Sequence, residues 1–460
     1  MPRKCYDSWA WMPRIHIRKV IPMNKKAYRA REVNRVSLEQ VLLDREGLAA
    51  RVGVDVGKFV VVVVVRWSDG RFERPWRVEN PHELRVLTGL LRELGKGREM
   101  VVALEPTGTY GDALRQALHD AGLVVHRVSA KAACDYAEVF DGVPSQHDGK
   151  DAAVIAELSA IGKSSVWSYE APPEVERELA YCVDWMDAQH KLRSIWMGRL
   201  EALLARHWPE ATRTMKITRP TLLRALERYG GPQALVRDQR AAEQLAAWGG
   251  RYLRAATIAA LLEGARETVG IRQTDTDRRQ IRRCAREVLK ARDEVRRCQR
   301  ELRKLAAGNP VLEAHGAAVG LPTACVLWAH LGNPQSYFCG AAYRKAMGLN
   351  LKERSSGRYQ GQLKITKRGS SQVRRWLYFA AMRLVKQGPI AAWHRRQKAK
   401  NSAAAKRSLI GVMRRLALAL YHVAVEGVPF EEWRVFPGRV RARCRRQAES
   451  AARTAAAANG

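Results

Sequence analysis

The sequence predicts an α/β domain followed by a mostly α-helical region. Three observations carry this. Between Arg51 and Ile161, short runs rich in β-branched residues alternate with helical stretches. Asp275–Ala307 is long, charged and free of Pro and Gly, as in a coiled coil or long hairpin helix. Beyond Asn309, apolar helical segments alternate with loop-rich chain.

The elements follow in order. Residues 1–48 are basic, with Trp9, Trp11 and scattered Pro, and read as a partly disordered arm able to touch nucleic acid. Arg51–Val56 and Phe59–Trp67 are expected strands joined at Gly57-Lys58, and Arg71–Val78 a third, with Pro75 marking a sheet edge. A helix is expected from near Pro81 to Gly95. Val101–Leu104 is a buried strand, Tyr110–Ala121 a helix, Val124–Val128 a strand and Ala130–Phe140 a helix. After a loop over Asp141–Ser145, a helix runs from about Gly149 to Ile161. Glu174–Arg206 has helical spacing, and Pro220–Thr268 reads as a helical insertion with turns at Gly230-Gly231 and Gly249-Gly250. His315–Leu331 makes two short helices around Gly320-Leu321-Pro322, residues 333–370 are loop-rich, and Gln372–Gln387 and Ser408–Glu426 are helical. The Arg- and Ala-rich tail from Gly438 is expected to fray. The resulting divisions are 1–48, 49–168, 169–308 with an insertion at 207–270, 309–437 and 438–460.

Charge narrows the function. The 460 residues carry 81 Lys and Arg against 46 Asp and Glu, a formal net charge of +35. An excess of this size, spread along the chain, points to nucleic acid as partner. The 8 Cys form no Cys-x-x-Cys pair and no zinc-finger spacing with His, so reduced, buried thiols of a cytosolic protein are expected. Phe59–Val65 is far too short to cross a bilayer, and no secretory signal pattern stands at the N-terminus, so no membrane partner is expected.

Four acidic residues stand out against this background: Asp55 in Val-Gly-Val-Asp-Val-Gly, Glu105 in Ala-Leu-Glu-Pro-Thr-Gly, and Asp148 and Asp151 in His-Asp-Gly-Lys-Asp-Ala. Asp55 and Glu105 sit in or at the end of apolar runs, where an ionised carboxylate is costly unless paired. Asp148 and Asp151 are three apart at a helix start and share a face. Carboxylates from three elements converging on one point suit one or two Mg²⁺ ions clamping a scissile phosphate. Taken singly, Asp148 reads as a helix N-cap and Glu105 as a strand-end charge.

A second constellation is Glu353-Arg354-Ser355-Ser356-Gly357, followed by Lys364-Ile365-Thr366-Lys367-Arg368-Gly369. A serine beside Gly in a basic loop can attack a phosphate, although Ser-Ser-Gly is also ordinary turn chemistry. A third, Ala318–Ala324, resembles a helix-hairpin-helix turn facing a phosphate, or equally a tight helical connection inside a core.

Together, Asp-Val-Gly-Lys, Glu-Pro-Thr-Gly and Asp-x-x-Asp-Ala, in that order, resemble the DEDD transposases of bacterial insertion sequences. This family includes the Piv-type DNA invertases and is described as bridge-RNA-guided recombinases. Gly320–Ala324, Tyr343–Gly348, Ser355-Ser356-Gly357, Ile365–Gly369 and Arg374-Arg375 resemble its C-terminal transposase domain. The likeness spans roughly residues 51–165 and 309–432. It implies a RuvC-like, RNase H-like domain holding Mg²⁺ on Asp55, Glu105, Asp148 and Asp151, a coiled-coil linker, and a C-terminal domain with Ser356 as nucleophile and Ser355 as the second choice. It further implies a phosphoserine intermediate, donor and target DNA, a noncoding guide RNA, a dimeric or tetrameric homo-oligomer with a composite site, and a cytoplasmic, nucleoid-associated location in a bacterium. Guided recognition delegates sequence reading to base pairing. The chain departs from the pattern in its N-terminal arm, in the insertion at 207–270, and in His147 standing before the first Asp of the pair.

Three other readings compete. A Mg²⁺-dependent, RuvC-like junction nuclease would need the carboxylates and no serine. An ATP-using actin-like or sugar-kinase fold would explain Asp-Val-Gly, but no second Asp-x-Gly-x-Thr loop stands where it is needed. A nucleic-acid-binding protein without catalysis would need only the charge.

Overall fold

The computed structural model describes residues 29–436, apart from 107, 145–146, 169–171, 354, 357–358, 362, 387 and 401–403. The first 28 residues of the expected arm and the tail from Gly438 lie outside the described residues. The chain divides into two compact units, Met1–Ala171 and Pro172–Gly460.

The first unit is built on a sheet of seven strands among the described residues. It comprises β1 (Arg31–Glu32), α1 (Leu38–Leu42), β2 (Ala50–Val56), β3 (Val60–Trp67), β4 (Trp76–Glu79), α2 (Leu84–Leu94), β5 (Met100–Leu104), α3 (Asp112–Asp120), β6 (Val125–Val128), α4 (Ala130–Asp141), α5 (Asp148–Ala160) and β7 (Ser164–Val166). The strand order is β1-β4-β3-β2-β5-β6-β7. β2, β5 and β6 run parallel, while β3 is antiparallel to both β2 and β4. The sheet is therefore mixed, as expected.

Side-chain alternation divides the unit into two cores. Val52, Val54, Val61, Val63, Val102 and Leu104 meet Leu87, Leu91, Leu114 and Leu118 of α2 and α3 on one face. Val62, Val64 and Ala103 meet Ala152, Ala153 and Ile155 of α5 on the other. The valine run of β3 is buried on both faces, which is why it reads as a continuous apolar stretch.

Three details differ from expectation. The third strand starts only after Pro75, because Pro has no N–H to give a ladder; its carbonyl instead accepts from Arg31 N at 2.8 Å. The edge beyond β4 is taken by β1, which comes from the expected arm. Val33 and Val41 of that segment are buried in the first core, so the arm's last part is folded onto the sheet. β7, only three residues long, went unseen in the sequence.

The second unit is helical. Its framework is α6 (Glu174–His207), followed by α7 (Pro209–Thr214), α8 (Pro220–Tyr229), α9 (Pro232–Arg237), α10 (Ala241–Gly249), α11 (Ala255–Arg266) and α12 (Asp275–Leu305). Then come α13 (Pro310–Val319), α14 (Leu321–Leu331), α15 (Gly340–Ala346), β8 (Leu351–Lys352), β9 (Ser355–Ser356), β10 (Tyr359–Gln360), β11 (Lys364–Ile365), α16 (Ser371–Leu384), α17 (Gly388–Lys400) and α18 (Ala404–Glu426). α17 and the four short strands were not foreseen.

α6 and α12 pack antiparallel. Cys182 Sγ lies 3.4 Å from the Cys298 carbonyl at one end, and His207 Nε2 lies 3.6 Å from Asp277 at the other. Around the His207 end, α7, α8, α10 and α11 close a core on Trp208, Leu222, Leu226, Leu245 and Leu261. Around the Cys182 end, α13 to α18 share a second core with both long helices. The six cysteines among the described residues are free thiols, four of them buried. Ala405–Glu426 is long and apolar enough to cross a membrane by length and composition, which the sequence reading overlooked. Its Val412, Leu416, Ala417 and Leu420 sit in the core, so the apolar length serves packing.

Candidate active site

The carboxylates gather because of strand order and one glycine. Parallel pairing matches Val54 with Leu104, so Asp55 and Glu105 follow side by side at the C-terminal ends of β2 and β5. Antiparallel pairing sets Asp55 opposite Val62, a residue of the α5-side core. Asp55 thus faces α5, and Glu105, two residues beyond Ala103, continues the same alternation. The first turn of α5 carries Asp148 and Asp151.

Gly53 lets that helix come down. A Cβ there would stand 2.0 Å from the Ala152 carbonyl oxygen and 2.4 Å from Ala156 N, so no other residue permits this backbone contact. A glycine in a strand interior signals just such an approach, a signal at Gly53 that the sequence reading passed over. Arg66 of β3 clamps the other end of α5 through an ion pair with Glu157. The chain entering α5 is fixed by Lys150, which is 1% exposed: its Nζ lies 2.7 Å from Asp141 Oδ1 and also donates to the Val143 carbonyl. His147, not Asp148, caps the helix, its Nδ1 accepting from Lys150 N at 3.1 Å. Asp148 and Asp151 stand in the first turn of the helix, where negative charge is favoured.

The electrostatics record the crowding. Burial pushes the Asp55 carboxyl up to about 6, and the charges of Asp148, Asp151 and Glu105 add to the rise. Glu105 is raised by burial and by Asp151. Asp151 is raised by burial and Asp148, against the opposing pull of His147 and Lys150. Four carboxylates offer the hard oxygen ligands that a divalent cation takes. Among the described residues no three His, Cys, Asp or Glu side chains close into a ready-made metal cage. The four carboxylates are coupled through space at one end of the sheet rather than clenched around a point.

Ser356 belongs to the second unit. β8 pairs with β11 and β9 with β10, both antiparallel, with Ser356 opposite Tyr359. Ser355 and Ser356 are exposed, and Ser355 Oγ donates to Glu353 Oε1 at 3.3 Å. Arg354 and Gly357 of the motif lie outside the described residues, as does Thr107 beside Glu105. The base of this ribbon is firm. Lys367 N donates to the Gly348 carbonyl at 3.0 Å and Thr366 N to the Asn350 carbonyl at 2.7 Å. Gly369, at φ +133°, packs so closely that a Cβ would stand 2.2 Å from the Ala346 carbonyl oxygen. Arg374 binds the Gly369 carbonyl at 2.8 Å, while Arg375 pairs with buried Asp187 of α6. These two arginines hold structure here. At the third constellation, Gly320 takes φ +84° between α13 and α14, and Arg383 donates to the Val319 carbonyl beside it.

Comparison with known families adds the decisive observation. A DEDD-type IS110 transposase profile matches residues 52–209. A second, for transposases of the IS116/IS110/IS902 family, matches residues 317–396. The two matches fall in the order that such a protein requires and together take in more than half of the chain.

The chain belongs to the IS110-type DEDD transposases.

No curated protein matches the sequence. Membership makes this an enzyme that acts on DNA, the transposase of an insertion sequence. Transposases of the DEDD type use divalent metal ions, and the mixed sheet agrees with a RuvC-like domain. The first profile spans all four carboxylates and the second spans Ser355 and Ser356.

Proposed function

We propose that this transposase cuts and rejoins donor and target DNA through a covalent phosphoserine, guided by a noncoding RNA. Asp55, Glu105, Asp148 and Asp151 hold Mg²⁺, and Ser356 is the nucleophile. Residues 49–168 form the metal domain, 169–308 a coiled-coil linker and 309–437 the domain that delivers the serine. The Gly320 turn meets a phosphate as a helix-hairpin-helix element does. The active protein is a homo-oligomer whose composite sites take carboxylates from one copy and serine from another. It acts in the cytoplasm, on the nucleoid.

One observation carries the reading: Asp55 is driven up to about 6 by its own burial and by three other carboxylates that arrive on two further elements. A fold does not gather like charges in a half-buried place for stability, and a site awaiting a cation and a phosphate is the physical reason to do so. Mg²⁺, when bound, neutralises charge on the scissile phosphate.

The serine's part is transesterification. Ser356 Oγ bonds to the scissile phosphorus as the bond to a deoxyribose oxygen breaks. That oxygen leaves as a hydroxyl, so the proton lost by serine is matched by the one gained. A hydroxyl of the exchanging strand then attacks the same phosphorus, the bond to Oγ breaks and the serine recovers its proton. One phosphodiester replaces another, so no nucleoside triphosphate is consumed. The net charge of +35 suits a protein that holds several backbones while base pairing reads sequence. Ser355 is the second candidate, because its hydroxyl already bonds the Glu353 carboxylate.

Purified protein with the RNA encoded beside its gene and Mg²⁺ should join donor to target DNA and yield a protein–DNA adduct on denaturing gels. Ser356→Ala should lose the adduct. Cleavage with no adduct in the wild-type protein would select the RuvC-like nuclease instead.

A further inference from the structure

The insertion carries a second constellation that the carboxylates and the serine leave unused. Between the end of α7 and the start of α11 lies a cleft of about 690 Å³, lined by Arg213, Lys216, Arg219 and Arg254, with Thr212, Thr257 and Tyr252. No acidic residue lines it. Lys216, Arg219 and Arg254 have no ion-pair partner among the described residues, and Arg213 meets only the charge of Glu210. The nearby Glu210 carboxylate is engaged elsewhere, accepting from Thr268 Oγ1 at 2.7 Å and Val269 N at 3.0 Å.

The cleft is built on a firm floor. Met215 and Ile258 are buried beneath it, and Trp208 Nε1 donates to the Gly264 carbonyl at 3.0 Å, tying the start of α7 to α11. Tyr252 is 74% exposed, yet its surroundings are set. Leu253 N bonds the Gly250 carbonyl at 3.1 Å, and Gly249 packs against Leu253 with no room for a Cβ. The Arg251 guanidinium lies 4.9 Å from the Tyr252 ring centroid and donates to its hydroxyl at 2.7 Å. Arg254 is the N-cap residue of α11 and no side chain caps the helix, so its first amides open beside the same cations.

We infer that this cleft grips a single-stranded stretch of nucleic acid, its phosphates on Arg213, Lys216, Arg219 and Arg254 and one base stacked on Tyr252. Cations without partners are what a phosphodiester backbone uses, and a fixed, exposed ring is what an unpaired base uses. An acidic peptide would use the charges and leave the ring idle. The inference rests on the reading that the chain holds nucleic acid during strand exchange, but it concerns binding alone.

The test therefore uses the full chain with Asp55→Ala added, so that failure of recombination does not bear on it. Fluorescence anisotropy measures binding of labelled single-stranded RNA, single-stranded DNA and duplex DNA over a salt series. Tyr252→Ala should weaken binding to single strands about tenfold, leave duplex binding unchanged, and be rescued by Tyr252→Phe. Lys216→Ala with Arg254→Ala should reduce the salt slope for single strands by about 1.4, two phosphate contacts' worth. Tighter binding of RNA would assign the strand to the guide, and tighter binding of DNA to a displaced strand; both support the site. Single-strand affinity unchanged by Tyr252→Ala would overturn it, as would a loss falling equally on duplex. Displacement of the bound strand by polyglutamate as readily as by unlabelled oligonucleotide would assign the cleft to an acidic protein partner and overturn it too.

Discussion

The two units hold their candidate catalytic groups in opposite ways. In the first, the carboxylates stand on strand ends and a helix start that are pressed together, backbone against backbone at Gly53. In the second, Ser356 stands exposed on a two-residue strand, beyond a ribbon base that is itself well bonded. The contrast suits the proposed chemistry. Like charges repel, so carboxylates meant to share a cation must be held by the core. A nucleophile that forms and breaks a bond to a bulky DNA strand must be reachable, and an exposed ribbon tip is reachable.

The largest effects should fall on strand joining and be equal for both units. Asp55→Ala and Ser356→Ala should each reduce joining by about three orders of magnitude or more, because groups acting as one unit fail together. A Ser356→Ala protein that joins DNA normally would move the nucleophile to Ser355, and Ser355→Ala would then be decisive.

Stability should separate the units. Gly53→Ala forces a Cβ into the Ala152 carbonyl and should cost about 3 kcal/mol, read as a lower melting temperature of the first unit. Ser356→Ala, on an exposed strand, should cost less than ~0.5 kcal/mol. Lys150→Met removes the buried ammonium group that pairs with Asp141 and should cost about 3 kcal/mol, while loosening the turn that presents Asp148. If Gly53→Ala melts like wild type, α5 does not rest on β2 as described.

A further, modest effect has a sign that ordinary surface mutations lack. The folded Asp55 carboxyl is raised to about 6, above its ordinary value of 3.8. Folding therefore favours the protonated form, and that stability, complete below the ordinary value, is lost as pH rises through about 6. At neutral pH without metal, Asp55→Asn should thus be more stable than wild type, by about 1–2 kcal/mol once solvent screening of a partly exposed group is allowed for.

Much of this was legible beforehand, for reasons that vary by residue. The strands around Asp55 and Glu105 announced themselves through β-branched runs buried on both faces, and the long helices through uninterrupted helical spacing. The edge strand β1 and the three-residue β7 are too short for any period to declare them. The burial of Val33 and Val41 was hidden because a basic composition masks a few anchoring apolar residues. Nothing in the local sequence marks Lys150 as buried, and only tertiary structure shows its ammonium group enclosed with Asp141. Around Ser356, motif order marked the position, while the ribbon depends on pairing between two-residue strands that local sequence hardly encodes.

The claim on which the rest depends is that Asp55, Glu105, Asp148 and Asp151 act as one cation-holding site. Thermal melts of wild type and Asp55→Asn, at pH 5 and pH 7, with and without Mg²⁺, test it directly. The account predicts that metal-free wild type gains stability relative to the variant as pH falls from 7 to 5, and that Mg²⁺ at pH 7 stabilises wild type alone. Identical responses of the two proteins to both pH and Mg²⁺ would contradict it.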